Sequence, residues 1–185
     1  MSKVTLVTGG ARSGKSRFAE KLAEGYAPLR GYLATGQAGD AEMAERIARH
    51  RGRRGEEWET VEEPLELNRE IARVDGLYTV LLVDCVTLWL SNMLFHCEGG
   101  ASEALQRVES FTESFGSLAT PLIIVTNEVG MGIVPEHPLS RSFRDLAGEA
   151  NELIAARADE VYVTISGLPL RLKGAVQSSE FRVQS

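Results

Sequence analysis

Eight residues near the start of the chain have the types and spacing that hold a polyphosphate. Gly9-Gly10-Ala11-Arg12-Ser13-Gly14-Lys15-Ser16 reads as Gly, four residues, Gly, Lys, Ser. Glycines let consecutive backbone N–H groups turn inward into a nest, and a helix N-terminus behind them adds partial positive charge. Lys15 would then reach the β- and γ-phosphates, and the Ser16 hydroxyl could ligate Mg2+. The same residues could form a plain Gly-rich turn, so the flanks decide. The β-branched run at residues 4–8 precedes them, and Phe18, Ala19, Leu22, Ala23 and Tyr26 follow at helical spacing. Binding of a nucleoside triphosphate is expected.

Three other groups could share that chemistry. Asp84 closes the apolar run at residues 79–83, the strand-end position where α/β folds put ligand-contacting groups. It either positions Mg2+ with Ser16 or caps the helix that follows. Arg46, Arg49, His50, Arg51, Arg53 and Arg54 crowd the end of a helical segment at residues 40–53. Met43, Ile47 and His50 share one helical face, which Arg54 continues. His50 there is either a satisfied core residue or a catalyst, and the arginines either a solvated helix end or a nucleic-acid contact. Finally, Asn127-Glu128-Val129-Gly130-Met131-Gly132-Ile133-Val134-Pro135 makes a long connection after a core strand. Such a loop is a surface excursion or a functional segment, and its glycines permit close approach to a ligand.

The elements that must position these groups alternate. Strands are expected at residues 4–8, 31–35, 79–84, 122–126 and 160–165. Helices are expected from Arg17, over 40–53, from Pro64 as first helical residue, over 86–95, over 101–118 and over 139–156. The core strands are continuous apolar runs, the pattern of a parallel sheet covered on both faces. The fold class is therefore α/β, with residues 1–173 as one domain and a polar tail at 174–185.

Composition narrows the function. A net charge of -6 and no aromatics among the clustered arginines argue against nucleic acid as a partner. The apolar stretch at 80–95 is broken by Asp84, Ser91 and Asn92, so no integral membrane segment is expected. Met1-Ser2-Lys3 runs straight into the first strand, leaving no room for a signal peptide, and Cys85 and Cys97 form no disulfide framework. A cytoplasmic location fits both features.

Taken together these pieces resemble the bifunctional adenosylcobinamide kinase/adenosylcobinamide-phosphate guanylyltransferase family of cobalamin biosynthesis. The resemblance runs from Val4 to about Lys173. It rests on Thr8 through Ser16, Glu42-Met43…Arg46-Ile47…His50-Arg51, Trp58…Thr60-Val61-Glu62 and Asp84-Cys85…Thr87. The loop from Asn127 to Glu136 and Phe143-Arg144-Asp145-Leu146-Ala147-Gly148 complete it, the loop being much more specific than the P-loop.

The resemblance implies a RecA-like P-loop sheet, a homotrimer and two reactions. One moves the γ-phosphate of ATP or GTP to adenosylcobinamide. The other passes GMP from GTP, through a covalent histidine intermediate, to adenosylcobinamide phosphate. His50 matches the guanylylated histidine, and neighbouring arginines would disfavour its protonated form, keeping the imidazole nucleophilic. By the same match the nucleotide contacts are Gly9, Gly10, Ala11, Arg12, Ser13, Gly14, Lys15, Ser16, Thr35, Gly36, Gln37, Arg51, Gly52, Arg53, Arg54, Glu62 and Asp84. The chain departs from the family pattern in three places: Gly36 for Ala or Ser, Gly55 for Pro, and His137-Pro138 for Asn and a variable residue. A kinase without the GMP step and a nucleotide-binding switch are the competing readings.

Overall fold

A computed structural model describes residues 2–36, 45, 52 and 54–174. Apart from Glu45 and Gly52, the expected helix at 40–53, with His50, Arg51 and Arg53, lies outside the described residues, as do Gln37 and the tail beyond Gly174. The described chain runs β1 (Val4–Gly9), α1 (Lys15–Ala23), β2 (Arg30–Ala34), β3 (Trp58–Glu62), α2 (Leu67–Val74) and β4 (Val80–Asp84). It continues with α3 (Val86–His96), α4 (Gly100–Ser114), a 3-10 turn (Phe115–Ser117), β5 (Leu122–Val125), α5 (Pro138–Arg157), β6 (Glu160–Ile165) and β7 (Leu168–Lys173).

The strands form one seven-stranded sheet in the order β3-β2-β4-β5-β1-β6-β7. All neighbours are parallel except β6 and β7, which pair as an antiparallel hairpin. The parallel strands β1, β4 and β5 are buried almost throughout, as their unbroken apolar runs require.

The two faces are covered unequally. On one, Leu6, Leu33, Leu81, Val83, Leu122 and Ile124 pack under residues of α2, α3, α4 and α5. Trp89 and Phe111 centre that layer, their rings 5.7 Å apart and edge to face. On the other face Val7, Tyr32, Val80, Leu82, Ile123 and Val125 meet Ala19 and Ala23 of α1. Small residues there let α1 lie close to the sheet, which fixes the loop leading into it.

Three expectations about the elements need correcting. Pro64 does not begin a helix; α2 starts at Leu67. The Glu63 carboxylate accepts from the Leu65 and Glu66 N–H groups, both at 2.8 Å, and holds residues 63–66 as a turn. β3 is absent from the expected strands because two of the five residues of Trp-Glu-Thr-Val-Glu are charged, as suits the edge of a sheet. β7 was missed because its apolar residues face outward and it carries Pro169, tolerated on an edge strand.

Candidate functional site

The 9–16 loop is shaped by contacts that its sequence does not announce. A Cβ on Gly9 would meet Thr164 Oγ1 at 2.5 Å and Ser13 Oγ at 2.6 Å, so only glycine fits. Gly14, at φ +94, turns the chain into α1, and its carbonyl accepts from Phe18 N at 3.0 Å. The β6–β7 hairpin braces the loop from behind. Ser13 Oγ lies 2.8 Å from Thr164 Oγ1, and Gly167 N donates to Ser13 O at 2.9 Å. Lys15 is buried, its ammonium donating to Gly10 O at 3.1 Å across the mouth of the loop. Ser16 follows it in the first turn of α1. Gly10, Ala11 and Arg12 complete the curve, with Arg12 at φ +57.

The sheet sets the other groups in a row beside this loop. In the parallel register Glu62 pairs with Ala34, Ala34 with Asp84, Asp84 with Val125, and Val125 with Val7. Neighbouring strands are about 4.8 Å apart, so Asp84 stands roughly 10 Å along the sheet from β1. Glu62, Thr35, Gly36, Asp84 and the P-loop therefore share the carboxyl edge, the side on which open α/β sheets bind ligands.

Thr35 ties this edge together. Its buried hydroxyl donates to Cys85 O at 2.7 Å and accepts from Cys85 N at 2.9 Å. Asn92 Nδ2 donates to Thr35 O and Pro64 O, at 2.7 and 3.1 Å, linking the ends of β2 and β3 through α3. Gly36 has a local reason for its size: a Cβ there would come within 3.0 Å of Leu88 Cδ1. Gly52 and Gly55 are exposed, with nothing crowding an added Cβ. The His137-Pro138 pair forms the start of α5, His137 preceding the helix and Pro138 opening it.

Arg54 is the most telling member of the row. Its guanidinium lies over the Tyr32 ring, Cζ 3.4 Å from the centroid. Nη2 reaches Thr60 Oγ1 only at 3.5 Å, while Nε and Nη1 are buried without an acceptor. Buried guanidinium donors are costly to leave unpaired, and an anion would satisfy them. Tyr32 in turn donates to Asp84 Oδ2 at 2.9 Å. Burial, and then the charge of Asp84, raises the Tyr32 phenol far above its usual range, so it stays protonated and keeps donating.

Glu128, like Tyr32, has no role assigned from the sequence. Thr8 Oγ1 and Asn151 Nδ2 donate to its Oε1 at 2.8 and 3.1 Å, and its N–H donates to Gly9 O at 3.0 Å. A carboxylate is thus fixed against the base of the P-loop, on the long loop whose spacing had suggested function. Beyond it Met131 and Ile133 are 85% and 97% exposed. Among the described residues no group of three or more His, Cys, Asp or Glu could hold a metal, and no helix is long and apolar enough to cross a membrane.

Known proteins resemble the chain along most of its length. A family model described as cobinamide kinase / cobinamide phosphate guanyltransferase matches residues 5–172. The bifunctional adenosylcobalamin biosynthesis protein CobP of Pseudomonas aeruginosa is 47% identical over 169 residues, 91% of this chain and 96% of that protein. The bifunctional adenosylcobalamin biosynthesis protein CobU of Escherichia coli is 41% identical over 179 residues, covering 91% and 98%. Among solved structures, a Pyrococcus horikoshii OT3 protein aligns with a TM-score of 0.55 at 8% identity, covering 95% of this chain and 88% of that one. That likeness concerns the fold alone, and it accords with the α/β architecture seen here, a mostly parallel sheet with a P-loop after its first strand.

Proposed function

The chain belongs to the cobinamide kinase / cobinamide phosphate guanyltransferase family, and on that premise we propose that it carries out both reactions in cobalamin biosynthesis. The supporting observation is that a fully formed P-loop lies within the span of the family match.

In the kinase step the aminopropanol hydroxyl of adenosylcobinamide attacks the γ-phosphorus of ATP or GTP. The bond to the β-phosphate oxygen breaks, and the hydroxyl proton leaves to solvent. Lys15, now donating to Gly10 O, would swing to the phosphates and offset charge there. In the second step an imidazole nitrogen of His50 attacks the α-phosphorus of GTP, and pyrophosphate departs. A phosphate oxygen of adenosylcobinamide phosphate then displaces the imidazole, giving adenosylcobinamide-GDP and restoring His50. Arg54, with two donors lacking acceptors, suits a phosphate group of the nucleotide. By resemblance Glu62 and the arginines at 51 and 53 also contact the nucleotide.

The Ser16 hydroxyl and the Asp84 carboxylate are hard oxygen donors of the kind Mg2+ takes, one or two from protein and the rest from water and phosphate. Bound there, Mg2+ would neutralise charge on the phosphate oxygens. A homotrimer fits the outward apolar residues Ile165, Leu168, Leu170 and Leu172 of the β6–β7 hairpin, which a neighbouring copy could cover. A cytoplasmic setting suits the two free cysteines, and the acidic net charge makes nucleic acid a poor partner.

GTP labelled at the α-phosphate tests the covalent step. Label that is acid-labile and base-stable should stay on the protein and vanish in His50→Ala. Unchanged labelling of that variant would overturn the assignment of His50. ATP turnover dependent on cobinamide, without any protein label, would leave a kinase alone. Nucleotide binding with no turnover would leave a switch.

A further inference from the structure

Arg54 and Asp84 come from different parts of the chain, yet one side chain holds both. Tyr32 lies on β2 between β3 and β4 and is 5% exposed. Its hydroxyl reaches Asp84 Oδ2 at 2.9 Å, and the face of its ring carries the Arg54 guanidinium at 3.4 Å. Trp58 supports the ring edge-on, with centroids 6.3 Å apart and planes at 74°. Packed in this way the ring has little freedom to turn, so both charged groups are set by one rigid platform.

We propose that Tyr32 is a positioning residue for nucleotide binding, orienting Asp84 through its hydroxyl and Arg54 through its ring. The inference rests on the reading of Arg54 as a phosphate contact and Asp84 as an Mg2+ contact. The two roles are chemically distinct. A phenol donating to one carboxylate oxygen fixes the carboxylate rotamer and leaves the other oxygen directed away from the ring. An aromatic face under a guanidinium attracts the cation while leaving its in-plane N–H groups directed outward. Nε and Nη1 of Arg54, buried and without acceptors, are the groups so presented. Arg54 without the ring would be free to fold toward solvent or toward a neighbouring carboxylate.

Two substitutions separate the roles. Tyr32→Phe removes the hydroxyl and keeps the ring, while Tyr32→Leu removes both. Calorimetric titration of each variant with GTP, with and without Mg2+, reads the result independently of turnover. Tyr32→Phe should weaken binding about 10-fold in Mg2+ and leave Mg2+-free binding within about twofold of wild type. Tyr32→Leu should lose a further 3- to 30-fold or so, and lose it without Mg2+ as well. Melting curves accompany both variants, and Tyr32→Phe must remain folded for its binding to count against Tyr32→Leu. Equal losses in the two variants, or wild-type binding in both, overturn the proposal. Labelling wild type from α-labelled GTP in parallel tests the underlying reaction. If wild type binds GTP but takes no label, the histidine step fails and the titrations still decide the role of Tyr32.

Discussion

Arg30 and Arg54 flank the same aromatic pair. Arg30 lies 5.9 Å from the Trp58 ring and Arg54 lies 3.4 Å from the Tyr32 ring, but their donors meet opposite fates. Arg30 is 6% exposed and engaged on all three nitrogens. Nε donates to Ala23 O and Tyr26 O, Nη2 to Tyr26 O and Glu24 O, and Nη1 pairs with Glu57. Those carbonyls close the end of α1, where an unpartnered helix terminus would otherwise be buried. Arg54 has two buried donors with no acceptor. The fold uses every nitrogen of one arginine and leaves two nitrogens of the other without an acceptor. The contrast yields tests in which stability and nucleotide affinity should move separately.

The largest effect is expected from Lys15→Ala, because this buried cation stands in the P-loop, where a polyphosphate would need it. Its ammonium donates to Gly10 O within the P-loop itself, and the expected loss is of activity more than of stability. Turnover in both reactions should fall by about 10³-fold, the scale of removing a charge-stabilising donor. A melting point lowered as much as that of an Arg30 variant would place Lys15 with the fold and blur the distinction.

Arg30→Ala comes next and should act on stability alone. It orphans the carbonyls at the end of α1, at a cost of about 2–4 kcal/mol, or roughly 5–15 °C in Tm. Below that transition GTP affinity should match wild type. Arg54→Ala should do the reverse, raising the GTP dissociation constant by about 10- to 100-fold with Tm nearly unchanged. Removing an unsatisfied buried donor could even raise Tm slightly. If the two variants exchanged these behaviours, the division between structural and ligand-facing arginine would be wrong.

How much of this was legible beforehand follows from how local each signal is. The P-loop needs only contiguous residues, so its glycines, Lys15 and Ser16 could be read directly. Asp84 was legible because an apolar run ending in a carboxylate marks a strand end. The setting of Arg54 was not legible, since it depends on β3 pairing with β2, and Trp-Glu-Thr-Val-Glu carries too much charge to declare a strand. The brace behind the P-loop was hidden for a similar reason. Thr164 and Gly167 reach Ser13 only because β6 lies beside β1 and turns back into β7. Glu128 was visible as part of an unusual loop, but its partner Asn151 lies on α5, beyond any local pattern.

The smallest test takes the contrast to an acceptor remote from the nucleotide row. Asp75 follows α2 and accepts from Ala119 N and Thr120 N at 2.9–3.1 Å. Burial alone would raise its pKa, but these N–H donors outweigh burial and hold the carboxyl below its usual range. A depressed folded pKa contributes stability that is complete above the unfolded value, near pH 4, and is lost as pH falls through the folded value. Asp75→Asn should therefore melt roughly 2–5 °C below wild type at neutral pH. The gap should hold down to about pH 5 and narrow below it, because only wild type loses a charge-assisted contact on acidification. GTP affinity should not change at any pH in that series. A gap that stayed constant to pH 2 would mean that the Asp75 charge adds nothing to its hydrogen bonds. A change in GTP affinity would mean that groups satisfied inside the fold also reach the site, and the contrast between Arg30 and Arg54 would then be one of degree.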